Sequence, residues 1–359
     1  MSPALHVRGV VLPEGEHRDL YVVDGAVTYE PVASAESLGE GWIVPGLVDA
    51  HCHVGLDEHG AVPRDVQERQ ALDERAAGAL LLRDAGSAAD TRWVDEREDL
   101  PRIIRAGRHI ARTRRYIPHY AAEVEPDDLV AEVERQVARG DGWVKLVGDW
   151  IDRGRGDLAP SFPRGPLAAA IARAHELDAR VTAHVFGTEC LQDLLDAGID
   201  CLEHGTGLRE DMLDGMAANG TALVPTLIQI ARFAAYADQG EARFPAYAAH
   251  MRALHARIPT TMRAAHEAGV PMFAGTDAGG QLPHGLVADE IIALRDTAGM
   301  TPYEALGAGS WRAREWLGRP ATLTEGASAD FVVLPAEPLH DLSVLKLPTC
   351  VILRGRVYP

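Results

Sequence analysis

Val44-Pro45-Gly46-Leu47-Val48-Asp49-Ala50-His51-Cys52-His53-Val54 is the stretch from which the fold is read. The run from Ile43 to Val48 looks like a turn feeding a short buried apolar strand, with two histidines where that strand should end. Side chains two apart on a strand point to the same face, so His51 and His53 can grip one ion while Cys52 points away. A His-x-His pair alone also suits an ordinary polar strand end. Further ligands have to come from the rest of the chain.

On the N-terminal side lie short alternating segments, 5–12, 19–23 and 26–29, with Asp24-Gly25 as the hairpin turn between the last two. The other end has the same texture, with strands expected over 329–334 and 350–353 and a turn at Gly355. Neither end is long enough for a core of its own. Pairing them gives a small, discontinuous, β-sandwich-like domain made of 1–44 plus 321–359.

On the C-terminal side of the histidines, short apolar runs alternate with helix-like segments. The runs are 79–83, 109–113, 143–147, 180–183, 201–202, 222–224 and 271–274. Pro126-Asp127-Asp128 opens a helix over 129–138 that Gly140 closes, and Gly165-Pro166 opens another over 167–177. With the first strand this makes eight β-then-α units, which predicts an α/β chain with a parallel (β/α)8 TIM barrel over 45–320. An open doubly wound sheet would instead carry a glycine-rich turn after its first strand, where this chain has His51, Cys52 and His53.

In such a barrel the active site lies at the carboxyl ends of the strands. His51 and His53 end the first, Lys145 lies in the fourth, and His184, His204 and Asp277 end the fifth, sixth and eighth. Four histidines, one aspartate and one lysine thus converge on one rim. That convergence is far more specific than the pair.

The charge balance, 35 basic against 53 acidic residues and a net −18, argues against nucleic acid or an anionic membrane as partner. No apolar run approaches the roughly 18 residues of a membrane span, and the start lacks the pattern of a signal peptide. Cys52, Cys190, Cys201 and Cys350 show no metal or disulfide spacing and suit a reducing compartment. A cytoplasmic enzyme with a small-molecule substrate is expected, as a homo-oligomer if it follows the commonest pattern.

These residues resemble the amidohydrolase superfamily of metal-dependent hydrolases. The resemblance rests on the 45–53 stretch, Ala183-His184, Glu203-His204-Gly205, Gly275-Thr276-Asp277 and the tail Gly326-Ala327-Ser328-Ala329-Asp330-Phe331. Within the superfamily the chain looks most like the branch of imidazolonepropionase-like proteins, Xaa-Pro dipeptidases and ochratoxin amidases. Val144-Lys145-Leu146 matches the motif in which the latter enzymes carry a carboxylated lysine. The resemblance implies two divalent metal ions. His51, His53 and Asp277 would hold one, His184 and His204 the other, with CO2-carboxylated Lys145 bridging them. Zinc is the first assignment for such ligands, although manganese, cobalt or iron fits the same set. A metal-bridging hydroxide would attack an amide or peptide-like C–N bond, with Asp277 as proton shuttle. Lys145 and His204 complete the expected catalytic set.

Tyr116, His119 and His284 are candidate substrate-binding residues, since they follow the third and eighth strands, and Arg114 and Arg115 are candidate partners for a substrate carboxylate. Asp149 and Trp150 are plausible pocket residues. The aromatics of 229–255 suit a lid or ordinary helix packing. A mononuclear deaminase or cyclic-amidine hydrolase is the alternative function, and Lys145 speaks against it, because one metal needs no bridging anion. A metal-binding scaffold without catalysis would be favoured only if a ligand were missing.

Overall fold

The computed structural model describes residues 3–358. Both chain ends contribute to one seven-stranded sheet, ordered Arg356–Tyr358, Cys350–Leu353, Phe331–Leu334, Glu36–Pro45, Leu5–Val11, Glu16–Val23 and Ala26–Thr28. Leu5, Val7 and Val11 alternate with more exposed neighbours and turn inward to meet Ile43, Phe331 and Ile352. Asp24 and Gly25 both have positive φ, 49° and 83°, as a two-residue turn matched to strand twist requires.

The strand Glu36–Pro45 was not foreseen over its first half, where Glu36, Ser37, Gly39 and Glu40 are polar or flexible and exposed. Within the stretch expected to be a turn feeding a strand, the chain passes from one strand to the next. One ends at Pro45 in the terminal sheet, and the next begins at Leu47. Gly46 joins them because a Cβ there would lie 2.6 Å from Leu80 Cδ1 and 2.8 Å from Arg314 Nη2.

The strands Leu47–Cys52, Ala79–Asp84 and Arg102–Arg105 pair in parallel. A second set, Ile110–Arg112, Trp143–Val147, Arg180–Val185, Cys201–His204 and Ala222–Val224, also runs parallel. Every residue of Leu47–Cys52 and Ala79–Asp84 is buried, as expected of strands covered on both faces. The third expected strand, 109–113, is observed as Ile110–Arg112, and a further strand, Arg102–Arg105, precedes it. Arg102–Arg105 pairs with the strand before it and Ile110–Arg112 with the one after, across Ala106 to His109, with Gly107 at φ 70°.

The expected eighth strand, 271–274, is not regular. Its backbone nonetheless bonds on both sides, with Leu223 N donating to Pro271 O (2.8 Å) and Ala50 N to Ala274 O (2.8 Å). The succession of hydrogen bonds therefore returns to the first strand. Helices Leu129–Arg139 and Arg164–Glu176 fall where the proline, aspartate and glycine signals place them. Among the described residues no helix is long and apolar enough to cross a membrane.

Candidate active site

His51 and His53 project from the end of Leu47–Cys52, and each is fixed through Nδ1. His51 Nδ1 lies 2.7 Å from Glu203 Oε2, and His53 Nδ1 lies 2.7 Å from the Gly86 carbonyl. A ring anchored by Nδ1–H presents an unprotonated Nε2. Those two Nε2 atoms are 3.2 Å apart, and both approach Asp277 Oδ1, at 3.2 and 3.0 Å. Two lone pairs and a carboxylate oxygen facing one another repel unless protons or a cation lie between them. The three donor atoms lie within 4.8 Å of each other, a metal-ligand cluster in chemistry and spacing.

On the other side, His204 Nδ1 bonds Thr226 Oγ1 (2.7 Å), and His204 Nε2 faces His184 Nδ1 at 2.9 Å. His184 Nε2 is buried without a hydrogen-bond partner among the described residues. Burial pushes the His204 imidazole down to about 3 and His184 well below its ordinary value, so both are neutral at physiological pH. His204, Thr226 and Asp277 all have positive φ, 67°, 50° and 59°, which is strain at three neighbouring site positions.

Lys145 sits in Trp143–Val147 with 1% of its surface exposed, and its Nζ has no hydrogen-bond partner among the described residues. Burial lowers its pKa, against the pull of Glu203 and Asp277. An unpaired buried amine is costly, and this one lies among the histidines and acids.

The supporting residues were not legible beforehand. Glu203 accepts from Arg83 Nη2 (2.6 Å), from Thr182 and from the His51 ring, and all of these groups are fully buried. Burial opposes its ionisation, but Arg83, His51 and Lys145 hold the carboxyl well below the ordinary range. Asp49 accepts from His51 N (3.0 Å), Thr276 N (3.0 Å) and the Thr276 hydroxyl, tying the two strand ends that bear His51 and Asp277. His109, fully buried with both ring nitrogens unpartnered among the described residues, packs 5.0 Å from His53 centroid to centroid. A carboxylate inside the apolar run at 201–204 is the same signal that singled out Lys145, and it could have flagged Glu203.

Over this centre opens a cavity of about 360 Å³ lined by His53, His184 and Asp277 and walled by Tyr116, Tyr120, Trp150, Phe186, Tyr236 and Tyr247. Tyr116 is one of these walls. His119 lies elsewhere. It is exposed at φ 70° with its carbonyl taken by Arg108, and it does not line the cavity. His284 is also displaced, being buried behind the centre with Nδ1 2.8 Å from Glu74 Oε1. Arg115 is held by Asp152 and by the carbonyls of Trp150 and Ala159, leaving no arginine or lysine among the lining residues. Asp149 accepts from the N–H groups of Phe186 and Gly187 as a buried brace.

Thr226 is itself held from below. Glu290, fully buried on helix Val287–Ala298, accepts from Leu227 N (2.7 Å) and Ile228 N (3.0 Å) immediately after it. Burial pushes the Glu290 carboxyl from the ordinary 4.5 up to about 8, against the pull of those two N–H groups. A carboxyl raised in the folded state contributes stability that is complete below its unfolded pKa and is lost as pH climbs through the folded one. Denaturant unfolding of the native chain and of Glu290→Gln should therefore show the native chain's relative stability falling between pH 4.5 and about 8. A difference that stays flat over that window would contradict the assignment.

A buried cluster of two histidines and a carboxylate, metal-ligating in chemistry, lies under an open cavity at the ends of parallel strands. Residues 42–358 match the amidohydrolase family, and the chain belongs to it. An uncharacterized protein of Mycobacterium tuberculosis (strain ATCC 25618 / H37Rv) is 56% identical over 356 residues, 99% of this chain and 95% of that protein. Ochratoxinase of Aspergillus niger is 30% identical over 234 residues, 62% of this chain and 48% of the fungal protein. Among solved structures, a Xaa-Pro dipeptidase with methionine bound in its active site superposes with a TM-score of 0.81 at 23% identity, covering 99% of both chains. The A. niger ochratoxinase structure gives 0.80 at 21% identity, covering 99% of this chain and 95% of that one.

Proposed function

We propose that this chain hydrolyses an amide or peptide-like C–N bond of a small molecule at a site built for two divalent cations, zinc the first candidate, with Lys145 carboxylated between them. The observation that carries the reading is Lys145 Nζ, buried with no hydrogen-bond partner among the described residues. Lowering its pKa favours the neutral amine, the form that adds to CO2. The resulting carbamate oxygens would satisfy a position that otherwise holds an orphaned donor. His51, His53 and Asp277 would hold one ion, His184 and His204 the other. The one-ion alternative, a deaminase or cyclic-amidine hydrolase, draws support from the tight His51, His53 and Asp277 cluster, but it leaves Lys145 without a role.

When bound, the cations supply a water of lowered pKa and polarise the scissile carbonyl. The protein's part is positioning and proton traffic. Asp277 Oδ1 lies at the cavity floor, where it can take the proton of the attacking water and return it to the leaving nitrogen. Glu203 and Thr226 fix the rings of His51 and His204, and Glu203 offsets the positive charge of Arg83. The aromatic walls exclude water and present flat apolar surface to an acyl or aryl group.

We read the parallel strands as a (β/α)8 barrel over 45–320, and 1–44 plus 321–359 as its companion domain, because the backbone bonds return to the first strand and both ends share one sheet. Four cysteines, all free and buried, fit a cytoplasmic location. Amine release from N-acyl amino acids, dipeptides and aryl amides tests the activity. Turnover that is lost on chelation and restored by zinc or manganese is expected. Deamination of aminated heterocycles without amide hydrolysis would overturn the reading.

A further inference from the structure

At the opposite end of the parallel strands from the histidines lies a second cavity, of about 160 Å³ and partly open to solvent. Arg102, the first residue of its strand, Pro45 and Arg314 line it on one side, and Arg319, Thr322, Ser328 and Asp330 belong to the return path into the terminal sheet. Three arginines and one aspartate line it, in a chain whose net charge is −18.

Arg314 is the unusual member. It is 7% exposed, donates Nε to the Gly46 carbonyl at 2.7 Å, and keeps Nη2 buried with no hydrogen-bond partner among the described residues. Asp330 does little to neutralise the group. Its Oδ1 accepts from Arg354 N at 2.7 Å, and its Oδ2 is 3.9 Å from Arg102 Nε. Burial and the nearby Arg102 push the Arg314 guanidinium down to about 10, against the attraction of Asp330. A buried guanidinium without a full partner is expensive, and removing its counter-charge costs more than an exposed pair would return.

We propose that this cavity is a binding site for a small tetrahedral oxyanion of the phosphate type, held by Arg102, Arg314 and Arg319 with the hydroxyls of Thr322 and Ser328. Guanidinium forks match such oxygens two at a time, and the surplus of two positive charges in the lining fits a dianion. At roughly 30 Å³ per water, the space takes about five waters or one such ion with some of them. The site joins the floor of the parallel strands to the tail of the terminal sheet, so its occupation would brace that junction. It is independent of the chemistry at His51 and Asp277.

Calorimetric titration of the metal-loaded full chain with inorganic phosphate, against potassium chloride of equal ionic strength, tests the site. A crystal soaked in tungstate then locates the ion by its anomalous signal. The expected result is saturable binding that Arg319→Gln weakens about tenfold or more, with a tungstate peak between Arg102, Arg314 and Arg319. Arg314→Gln should weaken it further. If that variant does not fold, Arg319→Gln decides the matter, because Arg319 is exposed. Phosphate binding no stronger than chloride, binding unchanged in Arg319→Gln, or tungstate only at the histidine centre would each overturn the proposal.

Discussion

Replacing Asp277 with asparagine is expected to lower kcat by roughly 10² to 10⁴-fold, the range in which a positioned proton-transfer group contributes. KM should change little, so kcat and kcat/KM fall together, as they do when an interaction made only in the transition state is removed. The reason is local. Asparagine keeps an oxygen where Asp277 Oδ1 approaches the two imidazoles, and the backbone stays held by Asp277 N on the His51 carbonyl at 2.7 Å and by Thr276 on Asp49. What is lost is the capacity to accept and return a proton. Steady-state kinetics alongside elemental analysis checks this, and turnover close to that of the native enzyme with metal retained would remove Asp277 from the proton path.

Lys145→Met is the second large effect, and it decides between two states of the same side chain. Were Lys145 an ordinary buried ammonium, methionine of similar shape would relieve an unpaired charge, and the protein would become more stable without losing metal. If the lysine is carboxylated and bridges two ions, the variant should bind less metal and lose roughly a thousandfold or more in kcat/KM. In that case a small carboxylic acid such as acetate or propionate should partly restore Lys145→Ala, since the space left can admit a replacement carboxylate. Unchanged metal content and activity in Lys145→Met would refute the bridging role.

The parts of this molecule that were legible in its sequence are those fixed by local pattern. Two histidines separated by one residue on a strand must share a face, and His51 and His53 converge on Asp277. Apolar runs bounded by polar or glycine residues became strands at 143–147, 180–185 and 222–224. Arg102–Arg105 was missed because Arg-Ile-Ile-Arg is too short to show a period, and 271–274 forms one bridge, Met272 to Leu223, rather than a ladder.

Loop side chains were misplaced for a different reason, namely that distant partners set their direction. His284 is captured by Glu74, 210 positions away, and Arg115 by Asp152 and backbone carbonyls, so neither reaches the cavity. The Arg83–Glu203 pair, 120 positions apart, buries two charges whose pairing no local window reveals. The metal-facing atoms were therefore easier to find than the groups that orient them.

Elemental analysis of protein prepared in ¹³C-bicarbonate, combined with a ¹³C spectrum of the same sample, tests the proposed centre at its bridging residue. A binuclear, carboxylated site predicts about two divalent ions per chain and a carbamate resonance that is absent from Lys145→Met. One ion per chain, with no carbamate signal and a free Lys145 amine, would contradict it.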